Sequence, residues 1–258
     1  MNYKLLVDTA MLAGEIMLVS GAETYRVEDT MSRILKTSGL EKTETFVTPT
    51  GIFLTLGDTS IDNITLIKRI ETRITNLSNI YEVNNISRAL CNDSISLNEA
   101  YEKLKIIKQT KKYNITIYNI CLILGSAAFT VLLGGKWIDC FIASINGGLI
   151  ALIFMLTKTT KIKSFIKNMI CSVVIAFTSA AITHFFDIGI QRDILISGSA
   201  MPLLPGVAIT NAIRDILEGD YLSGGARAIE AFVSAATIAA GIGVGLAFFF
   251  LIIGGGML

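Results

Sequence analysis

The residues of this 258-residue chain whose types and spacing could do chemistry gather toward its C-terminal end. ISGSAMPLLPGVAITNAIRD, Ile196 to Asp215, is apolar enough to enter a bilayer, yet it holds Pro202, Pro205 and Gly206. A proline has no N–H and pushes away the carbonyl four residues back, so the pair predicts freed carbonyls at Gly198 and Met201. Gly206 lets the backbone bend or a partner approach. In hydrocarbon an unsatisfied backbone group costs several kcal/mol, so such a break survives only in protein or a wet cavity. Half-helix N-termini face anions and freed carbonyls face cations. Pro205 suits the first position of a second half-helix. The N–H groups of Gly206 and Val207 would then receive a carboxylate, with Ser197, Ser199, Thr210 and Asn211 adding side-chain bonds. A kink that only shapes packing is the other reading, and the prolines alone do not choose between them.

Charges follow in NAIRDILEGDYLSGGARAIEAF. Arg214 and Asp215 close one apolar segment, and Arg227 and Glu230 open the next at a helical i, i+3 spacing. Ionisable groups inside a span cost about 2.5–3.5 kcal/mol and tend to face a pathway. Arg227, with Arg214, suits bidentate binding of a substrate carboxylate, and Glu230 and Asp215 suit carriage of a coupling proton. Snorkelling at the membrane face is the alternative. Near the N-terminus, SGAETYRVEDTM sets Glu23, Arg26 and Asp29 three residues apart, which fits a surface ion-pair ladder. Alternatively Arg26 and Glu28 dock on the membrane part or contact cargo. His184, beside Asp187, reads as a proton relay or an interfacial histidine. Asn146 with Gly147 and Gly148 reads as a pathway contact or a close helix crossing. Trp137 reads as an interface anchor. The chain has no phosphate-binding GxxxxGK[ST], no HExxH and no GxSxG. The cysteines Cys91, Cys121, Cys140 and Cys171 lack metal-ligand spacing and read as small buried hydrophobes. No metal, cofactor or catalytic residue is expected, and no basic stripe suggests nucleic acid.

The elements that must position these residues fall into two regimes. The chain is 52% hydrophobic, with mean hydropathy +0.61. Residues 1–112 hold 28 of the 43 charges. They read as an α+β domain: a helix with Leu5, Leu12, Ile16 and Val19 on one buried face, and a second helix opened by a Ser20–Glu23 capping box with the stripe Val27, Met31, Ile34 and Leu35. Strands follow, with Val47, Ile52, Leu54 and Leu56 on one face and a turn at Pro49–Gly51, and a third in NITLIKRI. Two further helices complete the domain, the last with a Ser96–Glu99 capping box. Asp8 and Glu15 interrupt the first apolar stretch, against an export signal.

Residues 113–258 read as a transmembrane domain with spans near 115–134, 138–157, 165–186, 194–213 and 228–253. Each is long enough to cross a core of about 30 Å. Lys103 to Lys112, the Lys158–Lys167 cluster, and Arg214 with Arg227 fall on one side, against Lys136 and Arg192 on the other. That places the N-terminus in the cytoplasm and the C-terminus outside. The expected fold is membrane α-helical, with about five transmembrane helices, one broken at Pro202–Gly206, and an N-terminal cytoplasmic α+β domain.

SGAETYRVEDTM, FVTPTGI, Arg69–Ile70, AMPLLPGVAITNAIRD and GDYLSGGARAIEA, in this order, resemble the threonine/serine exporter family over nearly the whole chain, in its split type. The resemblance implies a subunit of a secondary transporter in the bacterial cytoplasmic membrane. It implies export of small carboxylate-bearing solutes: threonine and serine, or a dicarboxylate such as succinate. It also implies a hetero-oligomer with a shorter membrane-only partner subunit, and no cofactor. Carried over residue by residue, the motif positions are Glu23, Arg26, Glu28 and Asp29, then Pro202, Pro205, Asn211, Arg214, Asp215, Arg227 and Glu230. A non-transporting membrane scaffold or sensor whose α+β domain does the work is the rival reading, and an intramembrane enzyme has no positive support.

Overall fold

The computed structural model describes residues 2–59, 61–110, 114–158, 160, 162–186 and 189–253. It is mostly helical and divides into two compact units, Met1–Lys111 with Val207–Ile229 and Lys112–Gly206 with Glu230–Leu258. The stretch 207–229, assigned above to the membrane part, thus groups with the first unit.

The first unit opens with helix α1, Tyr3–Val19. Its burial is broader than the expected single stripe: Val7, Thr9, Ala10, Met11, Gly14 and Leu18 are buried along with Leu6, Leu12, Ile16 and Met17, while Leu5 and Val19 are half-buried. A helix apolar on most sides is a core helix, and α1 is one because others pack around it. They are α2 (Thr24–Lys36), α3 (Leu77–Cys91), α4 (Leu97–Gln109) and a three-stranded sheet. Val27, Met31, Ile34 and Leu35 of α2 are all buried, as their spacing predicts. Strands β1 (Lys42–Thr48), β2 (Gly51–Asp58) and β3 (Ile61–Arg69) form an antiparallel meander. Thr48 pairs with Gly51 across Pro49–Thr50, so the hairpin turns where proline pre-sets φ. Val47, Ile52, Leu54 and Leu56 face the core, whereas Phe46 and Phe53 stand on the exposed face. Ser96 caps α4 by accepting the Glu99 N–H at 3.2 Å.

The second unit holds α5 (Ile115–Leu132), α6 (Trp137–Leu156), α7 (Ser164–Phe185), α8 (Arg192–Ala200) and most of α10 (Tyr221–Ile253). Small residues let these helices approach closely. A Cβ added at Gly147 would lie 2.8 Å from the Leu122 carbonyl oxygen and from the Ile123 Cα of α5, so the close-crossing reading of this glycine describes its place. Among the described residues α5, α6, α7 and α10 are long and apolar enough to cross a membrane.

The segment expected to be the remaining span forms two helices. α8 runs into a 3-10 turn, Met201–Leu203, and α9 follows from Gly206 to Leu217, the pair bent by 62° at the break. The proline pair interrupts the helix where expected, but the backbone chemistry differs from the expectation. The Gly198 carbonyl accepts the Met201 N–H, and the Met201 carbonyl accepts the Leu204 N–H at 3.1 Å. Tightening to i→i+3 bonds satisfies both groups locally. The Gly206 N–H is also used, by the Leu204 carbonyl at 2.9 Å. Pro205 precedes the first helical residue and does not itself fill that position.

Gly147→Ala should lower the stability of the detergent-solubilised protein by about 1–3 kcal/mol, because the methyl meets backbone. Gly148→Ala, with no atom within 4 Å of its Cβ, should be neutral or stabilising. Equal thermal midpoints for the two variants would contradict the α5–α6 crossing.

Candidate functional site

The site in the first unit starts from the turn between α1 and α2. The chain leaves α1 with Gly21 at φ +82°, a left-handed conformation that favours glycine. The Gly21 N–H returns to the Leu18 carbonyl at 3.1 Å and the Ala22 N–H to that of Met17 at 3.0 Å, the paired bonds of a Schellman ending. This closes α1 and leaves the carbonyls of Gly21 and Ala22 turned outward. Two side chains from far along the chain take them: Asn211 Nδ2 donates to Gly21 O at 2.8 Å, and Arg227 Nη2 to Ala22 O at 2.8 Å.

The expected Ser20–Glu23 capping box does not form. α2 begins at Thr24 with Glu23 at the N-cap, and the Glu23 side chain makes no cap bond. The Ser20 hydroxyl instead accepts from Asn79 Nδ2 at 3.1 Å. The cap comes from Asp215. Its Oδ1 accepts the Thr24 N–H at 3.1 Å and its Oδ2 the Thr24 hydroxyl at 3.2 Å. Arg227 Nε lies 3.0 Å from the same Oδ2. Asp215 is fully buried and Arg227 is 5% exposed. A carboxylate at a helix N-terminus meets unsatisfied N–H groups and the positive end of the helix dipole, and here the guanidinium balances its charge. Arg214 Nη1 donates to Glu23 Oε1, and Arg26 Nε stands 3.6 Å from Glu23 Oε2.

The structure therefore gathers Glu23, Asn211, Arg214, Asp215 and Arg227 around one turn, with Arg26 at its edge. It does not gather the rest. Glu28 accepts the Val47 N–H at 2.7 Å and so ties α2 to β1. Asp29 pairs with Arg33 at 2.9 Å and not with Arg26. Thr210 is exposed on α9. Burial raises the Glu28 pKa, with repulsion from Asp220 and Asp215 adding to it against the Val47 N–H bond. Burial and the Asp215 charge likewise raise the pKa of Asp220, against the pull of Arg227. A raised carboxylate pKa favours folding below its unfolded value, and the contribution is lost as pH rises through the folded one.

In the second unit a separate polar set forms around Asn146, which is fully buried. Asn146 Nδ2 donates to Ser179 Oγ at 3.1 Å and to Ser199 Oγ at 3.0 Å, while Oδ1 accepts from the Thr178 hydroxyl at 2.8 Å. Ser199 is thus committed to α6, whereas Ser197, Gly206 and Glu230 are exposed. His184 packs edge-on against Phe185 and Phe249, an aromatic setting; Asp187, its expected neighbour, lies outside the described residues. Buried Asp139 accepts the N–H groups of Lys136 at 2.8 Å and Gln191 at 3.2 Å. Sequence reasoning missed Thr24, whose only signal was its place after Glu23. It also missed Asp139, because the helix was expected to start near residue 138, whereas its N-cap is Lys136 and Asp139 lies three residues on, at the capping-box position.

A sequence profile described as a threonine/serine exporter matches residues 8–249. The chain belongs to the threonine/serine exporter family. It is 23% identical over 247 residues to the "Probable threonine/serine exporter" of Mycobacterium tuberculosis (strain ATCC 25618 / H37Rv), covering 93% of this chain and 46% of that protein. It is 23% identical over 248 residues to the "Threonine/serine exporter" of Corynebacterium glutamicum, covering 93% and 50%. The chain spans about half the length of these threonine/serine exporters. No solved structure matches it. The family is one of transporters, not enzymes, and the apolar helices make this member a multi-pass membrane protein.

Removing one partner of a buried ion pair strands the other charge. Asp215→Ala or Arg227→Ala should each cost about 3–5 kcal/mol in denaturant unfolding. The double variant Asp215→Leu with Arg227→Met should lose clearly less than the sum of the two single variants, the remaining loss reflecting the Thr24 N–H and Ala22 carbonyl left without their partners. Additive losses would show that the two charges do not depend on each other.

Proposed function

We propose that this chain is one half of a secondary transporter that exports small carboxylate-bearing solutes, threonine and serine or a dicarboxylate such as succinate. A shorter membrane-only subunit supplies the other half in a hetero-oligomer. The α+β domain is cytoplasmic, five spans cross the bacterial cytoplasmic membrane with the bent α8–α9 pair as one, and the C-terminus lies outside. Family membership supports export.

The observation that carries the reading is the buried Asp215–Arg227–Thr24 set, which follows directly on the proline break. Guanidinium, hydroxyl and helix-terminal N–H together recognise a carboxylate. Here the chain's own Asp215 fills that place. Opening this clasp frees Arg227, with Arg214 and Asn211, for a solute carboxylate, and frees Asp215, with Glu230, to take a coupling proton. Ser197, before the break in sequence, and Thr210, after it, have exposed hydroxyls suited to solute bonds, whereas Ser199 stays bound to Asn146 and the Gly206 N–H to Leu204. Pro202 and Pro205 keep the helix interrupted so that this segment moves without straining a continuous ladder. Glu23, through Arg214, and Glu28, through the Val47 N–H, hold α2 in the place from which it grips Asp215, while Arg26 and Asp29 pair only within their own turn and helix.

Uptake of labelled threonine or succinate into inverted vesicles, with the membrane-only partner co-expressed, tests the reading. Gradient-dependent flux is expected with both chains and not with either alone. At matched membrane levels, Arg227→Ala and Glu230→Gln should reduce flux by about 100-fold, as expected when a single charged contact is lost, and Pro202→Ala with Pro205→Ala should impair it. Absence of flux from the paired wild-type chains would favour the scaffold or sensor.

A further inference from the structure

The sheet of the first unit has two edges, and they are treated differently. At the β1 edge the Val47 N–H points away from β2 and is taken by the Glu28 carboxylate at 2.7 Å, while the Thr45 hydroxyl reaches the Glu28 carbonyl at 3.5 Å. β3 is the opposite edge, and among the described residues no strand lies beyond it. An edge strand presents a row of N–H and C=O groups that can template another strand, so edges are usually short, broken by proline or covered. Ile61–Arg69 runs for nine residues without proline.

The register decides which groups β3 presents. In an antiparallel ladder successive residues turn their N–H and C=O groups alternately to one neighbour and to the other. The outward Val47 N–H makes Val47–Ile52 a pair without mutual hydrogen bonds, so Ile52, Leu54 and Leu56 turn theirs toward Lys68, Leu66 and Ile64 of β3. The Ile70 N–H, donated to the Thr50 carbonyl at 2.9 Å, keeps the same alternation. The register shift lies between Leu56 and Asp58, before Ile64 on β3, so the strand is regular from Ile64 onward. Thr65 and Ile67 therefore turn their backbone groups outward, where they meet no partner among the described residues. Both side chains are exposed, Ile67 by 69%.

We propose that the open β3 edge pairs antiparallel with β3 of a second copy of this chain, Thr65 opposite Thr65 of that copy. The charges of the strand carry this choice of occupant. Asp62 stands at one end of β3 and Lys68 and Arg69 at the other, and Asp62, Arg69 and nearly half of the Lys68 side chain are exposed. An antiparallel copy centred on Thr65 sets acid beside base at both ends, whereas registers centred one residue to either side leave Asp62 without Lys68 opposite it. The same register turns the two Thr65 residues into a pair that exchanges both backbone hydrogen bonds. It also extends the Thr55–Thr65 hydroxyl contact of 3.0 Å into a row across four strands. The pairing rests on the sheet alone and not on the solute that the transporter carries.

Disulfide trapping in membrane vesicles of the full chain, with Cys91, Cys121, Cys140 and Cys171 replaced, tests this. Opposed residues of a hydrogen-bonded pair have Cα atoms about 5.5 Å apart, within disulfide range. Thr65→Cys should therefore give a covalent dimer on mild oxidation. Thr55→Cys, on the same face but three strand spacings, about 14 Å, from its copy, should not. Added to Thr65→Cys, Asp62→Lys faces Lys68 of the second copy with a like charge at both ends and should lower the dimer yield about threefold or more, while Asp62→Glu keeps it. Ile67→Pro removes an N–H that the sheet itself does not use, so it should abolish the dimer with the circular dichroism of the purified chain unchanged. No dimer from Thr65→Cys, as expected if another protein occupies the edge, would overturn the proposal. So would equal yields from Thr65→Cys and Thr55→Cys, or a yield unmoved by Asp62→Lys or by Ile67→Pro.

Discussion

A buried carboxylate must be satisfied, and the way Asp215 is satisfied organises the first unit. The α2 N-terminus needs an acceptor for its unsatisfied N–H groups, and no side chain of its own turn supplies one. Asp215 supplies it from 191 residues away, and Arg227 balances the charge that this leaves in the interior. The two requirements are met together or not at all. Around them the Schellman ending of α1 turns two carbonyls toward Asn211 and Arg227, so the start of the chain and the segment after the proline break share one set of hydrogen bonds.

This arrangement gives the break a physical setting. The 3-10 turn at Met201–Leu203 satisfies the carbonyls that the prolines would strand, so the interruption exists at little cost in unmade backbone bonds. What it leaves is a short α9 with Asn211 and Asp215 on its buried side and Ile209, Ile213 and Leu217 exposed. In a transporter family, a segment that is internally complete at its break and gripped by a few directional bonds beyond it is suited to move between two arrangements. The Asn146 set in the second unit is of another kind: every polar atom of its amide is partnered within the bundle. Such a set fixes helix register.

Much of this was legible in the chain because it rests on periodicity. The alternation of Val47, Ile52, Leu54 and Leu56 against Phe46 and Phe53, and the stripe on α2, came through because one buried face repeats at a fixed step. The break was legible because proline chemistry is local. The capping box at Ser20 and Glu23 was misread because the residue types fit while the partners lay elsewhere: Asn79 for Ser20 and Arg214 for Glu23. The freed carbonyls were misread because a chain can tighten to i→i+3 bonds, which spacing does not reveal. Asp215 as a distant cap depends on a contact 191 residues apart in sequence, and no local pattern encodes it.

The most direct test of the account fixes the clasp shut. In a chain with Cys91, Cys121, Cys140 and Cys171 replaced, cysteines introduced at Tyr25 on α2 and Glu218 just after α9, neighbours that carry no part of the clasp, can be joined by a short thiol crosslinker inside inverted vesicles that also hold the partner subunit. The account predicts that crosslinking abolishes gradient-dependent solute flux and that cleaving the linker restores the level of the uncrosslinked double variant. Undiminished flux with residues 25 and 218 joined would show that α2 and α9 need not part during transport, and would contradict the account.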